Sequence, residues 1–511
     1  MNEELLMRLD LVKSVLKEVE IYSHACRVLT FDKETICPPD AMEEQGEVSA
    51  FLDNQAFRLM KRDDFIEAAD YLYEHCDELG EFDRRMAVML RRDRLKTKNI
   101  TPDMEHEFSK IMNRAFVNWI NAKQDADFAL FAPSLKEVRD TNLRQAELRE
   151  ADPELAAGTP LDALISDYEY GMTCADLDEC FGRCKERLIP LLRRILSSGR
   201  KIRTDFMSRR VTDEQQKELA QCLLETIGYD FRRGAFTTTE HPFTDGLGRN
   251  DVRVTTHYHP DDFSSSMYSI IHEGGHALFD QLQPQENYDH FITGMKTMGM
   301  HESVSRFYEN RIGRSREFVQ LIYPKIREIM PHVVEDVTEE ELYEALNVVQ
   351  PSLIRTQADE FTYTIHVIIR YEIEKMIINE HVPIADLPRI WNDKYEEYLG
   401  VRPSNDREGI LQDVHWSSGF GYFPTYAVGN MYNAMYMNRM KEDLNVADIV
   451  RNGDFAALNG WMKEHVFKKA DRLSPKEWIY DITGRSFTPE DFLDYLEQKY
   501  SELYGIVPGQ S

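Results

Sequence analysis

Positive charge is the scarcest resource of this chain. Its 511 residues carry 61 Lys and Arg against 90 Asp and Glu, a formal net charge of −29. No Lys/Arg block interrupts that acidity, which excludes non-specific nucleic-acid binding, since phosphate neutralisation needs a basic face. Cysteine is also sparse: seven, odd in number and irregularly spaced, with none after Cys222. That pattern excludes a disulfide framework and points to a reducing compartment, so a cytoplasmic location is expected. Long apolar runs are missing, and stretches such as Val367-Ile368-Ile369 are soon cut by charge, so no membrane span is expected. The start, Met1-Asn2-Glu3-Glu4, is acidic where a signal peptide would be basic. Aromatics are plentiful, with 26 Phe, 24 Tyr and 5 Trp, and such a chain buries a core rather than remaining disordered.

Helical periodicity dominates. Leu5, Leu9, Val12 and Leu16 form one stripe. Breaks at Cys37-Pro38-Pro39-Asp40, Ile100-Thr101-Pro102 and Gly158-Thr159-Pro160 read as turns, because proline and its predecessor continue a helix poorly. One domain spanning 1–511 is expected, with a helical region to about 230, a catalytic motif region at 231–430 and a helical region at 431–511. Residues 232–260 depart from this pattern. Val252, Val254 and Thr256 alternate with Arg253, Thr255 and His257, predicting a small antiparallel sheet. After residue 264 helix resumes, with a Gly/aromatic interruption expected at 416–430.

The strongest motif is His272-Glu273-Gly274-Gly275-His276. On a helix, which Asp261 and Asp262 can cap, the two imidazoles lie one turn apart and can close on one ion. Glu273 projects beside them, toward a metal-bound water rather than the metal. Two mid-helix glycines cost roughly 1 kcal/mol each relative to Ala, which close approach of another backbone or of substrate would justify. The extended form of the motif would place a third His at 282, but Leu282 stands there and Phe279 replaces its Gly. From spacing alone, Glu302, His301 and Glu309 compete as third ligand.

The chain resembles the carboxypeptidase Taq family of His-Glu-x-x-His metallocarboxypeptidases. His241-Pro242-Phe243, Asp251 to Thr255, His272 to His276, His301-Glu302-Ser303, Ile354 to Asp359 and Gly409 to Trp416 follow the family's order. Phe31-Asp32-Lys33-Glu34-Thr35 resembles its opening, with Phe31 where Trp is usual. The resemblance implies a mainly α, saddle-like body with a deep groove, usually a homodimer. It also implies release of single residues from peptide C-termini with broad tolerance. His272, His276 and Glu302 would hold one divalent ion, zinc or in some members cobalt, and Glu273 would be the general base.

A terminal carboxylate needs a fixed cation in a chain this acidic. Arg355 is the first candidate anchor and Arg253 the second, the alternative being scaffold pairs with Asp359 or Asp251. His415, Tyr422 and Tyr426 offer donors for an oxyanion. His241 is a candidate for substrate contact or for support of the metal ligands, and Asp359 and Glu360 read as supporting partners. The competing classes are a metallo-oligopeptidase or endopeptidase, which would not need the anchor, and an inactive peptide-binding scaffold. The intact His272, Glu273, His276 and Glu302 argue against the last.

Overall fold

The structure is a computed structural model that describes residues 2–152, 155, 157–293 and 297–507. It is helical nearly throughout. The chain opens with a long helix, Glu3–Thr35, laid against Met42–Met60, and continues through Asp63–Glu74 and Glu81–Thr97. Leu5, Leu9, Val12 and Val15 meet Phe65, Ala68, Leu72 and Met86 in an apolar cluster of their own. Leu16 only flanks this cluster. The much larger second cluster runs from Ala115 to Tyr504 and includes the apolar residues that flank the metal motif, Ile270, Ile271, Ala277 and Leu278. Helices restart at Pro102 and Pro160, as their sequence breaks require.

Three strands form the single sheet among the described residues: β1 (Phe236–Thr238), β2 (Thr244–Gly248) and β3 (Asp251–Thr256), in the order β1-β3-β2. The expected all-antiparallel sheet is corrected to a mixed one. The chain reverses at 239–243 and again at 249–250, so β1 and β3 run the same way. Because β3 takes the centre, it pairs parallel with β1 and antiparallel with β2. Val252, Val254 and Thr256 are buried as the alternation predicts. Thr255 is buried as well, its hydroxyl bonded to Thr239 Oγ1 at 3.1 Å and to the carbonyl of Phe243 at 3.1 Å.

The sheet packs on the motif helix, Phe263–Gln281, which Asp262 caps by accepting from Ser265 N–H. Its partner, named the ligand helix for the candidate ligand Glu302 that it carries, is Met298–Arg306, capped by Thr297 and continued by a π-helical turn, Phe307–Gly313. Irregular chain between 400 and 423 leads to the helix Pro424–Asp443. The interruption therefore ends at Pro424, earlier than expected, because proline at the first helical position starts the helix and places Tyr426 in its first turn.

Candidate active site

The motif helix can approach its neighbours so closely because its side chains vanish where they must. A Cβ on Gly275 would lie 2.7 Å from Ser305 Cα and 3.1 Å from Val304 O, so the ligand helix rests on bare backbone there. A Cβ on Gly274 would meet Ile227 at 2.6 Å on the other side. Gly429 repeats the device, facing Glu302 Cγ at 3.2 Å and Ser303 N at 3.1 Å. Close approach of a neighbouring backbone therefore explains Gly275, and close packing of the Ile227 and Leu224 side chains explains Gly274.

This packing brings His272, His276 and Glu302 together, with ligand atoms all within 4.8 Å of one another. Both imidazole Nε2 atoms stand 3.5 Å from Glu302 Oε2. The outward nitrogens are occupied. His272 Nδ1 donates to Glu309 Oε2 at 2.8 Å, and His276 Nδ1 pairs with His301 Nδ1. His301 Nε2 in turn lies 3.7 Å from Asp280 Oδ1. The three competitors for third ligand take different places around the imidazoles. Glu302 faces the Nε2 atoms, while Glu309 and His301 hold the imidazoles from behind. An Nδ1-bonded imidazole turns its Nε2 lone pair inward, so the donor set fits a divalent ion with His2Glu ligation.

Arg306, four residues after Glu302, locks the carboxylates. Its Nε donates to Glu302 Oε1 at 2.8 Å and its Nη1 to Glu309 Oε2 at 3.1 Å. Burial pushes both carboxyls up, but His272 and Arg306 outweigh it. Glu302 stays well below the usual carboxylate range, and Glu309 is held at about 2. Glu273, 7% exposed, is oriented by Thr244 of β2, whose hydroxyl lies 2.7 Å from Glu273 Oε2 and 2.8 Å from its carbonyl.

A second group of side chains is joined to the first through Tyr363. Arg306 lies over the Tyr363 ring at 4.2 Å, and Arg355 Nη1 donates to the Tyr363 hydroxyl at 3.2 Å. Arg355 pairs with Asp413 at 2.8 Å rather than with Asp359, which instead caps the helix Glu360–Ile378. Arg370 takes the other oxygen of Asp413 at 2.6 Å. Two guanidiniums thus share one carboxylate, leaving one net positive charge in a buried cluster. Glu360 is bound by Lys499 at 2.6 Å and by Tyr495 and Tyr500, a supporting role away from the metal ligands.

Tyr426 lies under Arg355, 4.9 Å from guanidinium to ring centre, and its hydroxyl is 3.2 Å from His415 Nε2. Tyr422 packs against both, at 5.2 Å from Tyr426 and 5.3 Å from His415 between ring centres. Burial, helped by Arg355 and Arg370 and opposed by Asp413, lowers His415 to about 4, so its imidazole is neutral near pH 7. The loop bearing Trp416 and Gly421 is clamped by Glu374, which accepts from Trp416 Nε1 at 3.1 Å and Gly421 N at 3.2 Å. Arg253 forms the scaffold pair with Asp251 at 2.8 Å and lies over Phe31. His241 is exposed in the β1–β2 loop. Sequence reasoning assigned no role to Thr244, Arg306, Tyr363, Arg370 or Asp413, although Asp413 lies inside the Gly409 to Trp416 motif and Arg306 stands at i+4 from one carboxylate and i−3 from another.

A helical frame presenting two imidazoles, one carboxylate and an adjacent buried Glu defines a metallopeptidase. The chain belongs to the carboxypeptidase Taq (M32) metallopeptidase family, whose profile matches residues 11–500, and it is a metallocarboxypeptidase. Carboxypeptidase 1 of Bacillus subtilis is 39% identical over 498 residues, 96% of this chain and 97% of that one. Thermostable carboxypeptidase 1 of Pyrococcus furiosus is 32% identical over 498 residues, covering 96% and 98% respectively. The crystal structure of the M32 carboxypeptidase from Deinococcus radiodurans superposes with a TM-score of 0.93 at 33% identity, covering 99% of this chain and 100% of that chain.

Proposed function

We propose that this enzyme uses zinc, with cobalt as a functional substitute, to release single residues from peptide C-termini with broad side-chain tolerance. The whole chain acts as one catalytic body, working as a homodimer in the cytoplasm. His272, His276 and Glu302 would hold the ion, which when bound supplies Lewis acidity to water and to the scissile carbonyl. Glu273, fixed by Thr244, takes the proton of the attacking water and delivers it to the leaving amine. Neutral His415 and the Tyr426 and Tyr422 hydroxyls are the donors available to the oxyanion.

The observation that carries the exopeptidase reading is the surplus positive charge of the Arg355–Asp413–Arg370 cluster, linked to the metal ligands through Tyr363. A terminal carboxylate is its natural complement, and Arg355, flanked by Tyr426, is the anchor of choice. Arg253, already paired and half exposed, is second. The test compares wild type and Arg355→Ala on one peptide with a free acid and with an amidated C-terminus. We expect the variant to keep its metal and lose about 30- to several-thousand-fold in kcat/KM on the acid, a contact of roughly 2–5 kcal/mol. The loss on the amide should be much smaller. Equal losses on both forms would assign Arg355 to scaffold. Rapid internal cleavage of the amide by wild type would instead make the enzyme an oligopeptidase.

A further inference from the structure

The π-helical turn that carries Glu309 toward the metal ligands carries Arg311 in another direction. Arg311 is 5% exposed and lines a cavity of about 500 Å³ between the turn and the helices Pro424–Asp443 and Glu490–Tyr504. Its Nε donates to Asn433 Oδ1 at 2.8 Å, and its guanidinium lies 3.6 Å from the Tyr495 ring centre. Among the described residues it forms no ion pair. Glu360, whose charge reaches it, is already bound by Lys499. Burial consequently pushes the pKa of Arg311 down, the mark of a cation short of a counter-ion. Lys441, exposed on the same cavity, forms no ion pair or hydrogen bond among the described residues either.

One residue of the cavity wall, Asp491, also holds a buried carboxylate oxygen without a partner among the described residues. Asp491 Oδ1 accepts from Asn438 at 2.6 Å and Arg485 at 2.8 Å, whereas its buried Oδ2 has no hydrogen-bond partner among the described residues. Between these poles, Met437, Val446 and Val450 supply an apolar wall. Charges of both signs line the cavity, Glu317, Asp494 and Glu502 alongside Arg314, Arg316 and Lys499, which suits a ligand that carries both charges better than a polyanion. A buried cation, a buried carboxylate oxygen and an aliphatic wall complement a small zwitterion with an apolar side chain.

We propose that this cavity binds a free α-amino acid, with its carboxylate on Arg311 and Lys441, its ammonium on Asp491 and its side chain against Met437. The argument uses only the cavity's own charges and holds whatever peptide bond the enzyme cleaves. The site is separate from the metal ligands, yet it shares with them the turn that bears Glu309.

Because an amino acid can also enter the active-site groove, the readout must be local. The ¹³C-methyl resonance of Met437, assigned through Met437→Leu, is followed in the metal-loaded enzyme during titration with leucine, 4-methylpentanoate and leucinamide. Leucine should shift it saturably, and the two analogues, each lacking one charge, should bind at least about tenfold more weakly. Lys441→Met and Asp491→Asn should each weaken leucine by about tenfold or more while cleaving a reference peptide at the wild-type rate. A Met437 resonance that leucine leaves unmoved up to about 50 mM would overturn the proposal. So would equal responses to all three compounds, 4-methylpentanoate binding as tightly as leucine, or leucine affinity unchanged in both variants.

Discussion

In the proposed mechanism the chemistry turns on Glu273, and its environment differs from that of the candidate ligands. Its carboxylate faces Thr244 Oγ1 at 2.7 Å and belongs to no ion pair among the described residues, whereas Glu302 is gripped by Arg306. Glu273→Gln should therefore retain the ion, measured by elemental analysis, and lose nearly all turnover. Retained turnover would hand the base role to another group. Thr244→Val removes an orienting hydrogen bond to a charged group, worth about 1.5–3 kcal/mol, so kcat should fall roughly 10- to 100-fold with metal content unchanged. Glu309 makes the opposite case. It touches the histidine and not the reacting atoms, so Glu309→Gln should weaken metal binding about 10- to 100-fold, read by competition with a chelating dye. If Glu309→Gln binds metal normally, the hydrogen bond to His272 Nδ1 is dispensable. Glu302 and Glu309 were both visible in the sequence as candidates because they lie seven residues apart, close to two helical turns. Which one meets Nε2 and which meets Nδ1 depends on how the two helices are rotated, and spacing carries no such information.

Elements explain why the site can assemble at all. The motif helix and the ligand helix meet backbone to backbone at Gly275, so the distance from His276 to Glu302 is set by the absence of a Cβ. Gly275→Ala would gain helix propensity of about 1 kcal/mol but place a methyl 2.7 Å from Ser305 Cα, where no flexible side chain can yield. Overpacking of this kind costs about 1–3 kcal/mol, so we expect a lower Tm and weaker metal binding together. A variant as stable and as well loaded as wild type would refute the contact. The motif helix was legible because period, caps and His-Glu-x-x-His agree over a long element. The direction of β1 was not: three residues carry no polarity signal, and the parallel pairing follows from two chain reversals that only tertiary structure fixes. Tyr426 was read as loop because glycine and aromatic residues crowd 416–430, while the structural decision lies in Pro424 and in Glu374, 42 residues before Trp416 and buried beneath it.

At the scale of the molecule, two electrostatic effects oppose each other. The net charge of −29 repels an anionic peptide at long range, and in the proposed mechanism the buried Arg355–Asp413–Arg370 cluster attracts its terminal carboxylate at contact. Salt distinguishes them. The Debye length shrinks from about 30 Å at 0.01 M to about 10 Å at 0.1 M, which removes most of the long-range repulsion and screens a buried contact far less. For a peptide of net negative charge, kcat/KM should therefore rise several-fold over that range, as electrostatic effects on association rates do. A peptide given enough lysines away from its C-terminus to be net positive should show the opposite slope, because the same field now draws it in. Matching the two peptides at the last three residues keeps the contact at the cluster constant, so any difference in slope belongs to the field. Identical slopes would mean that capture is governed at the site alone. A fall with salt for both peptides would mean that screening of the cluster outweighs the −29, and would place the anchor at a more exposed arginine such as Arg253, half-exposed beside Asp251.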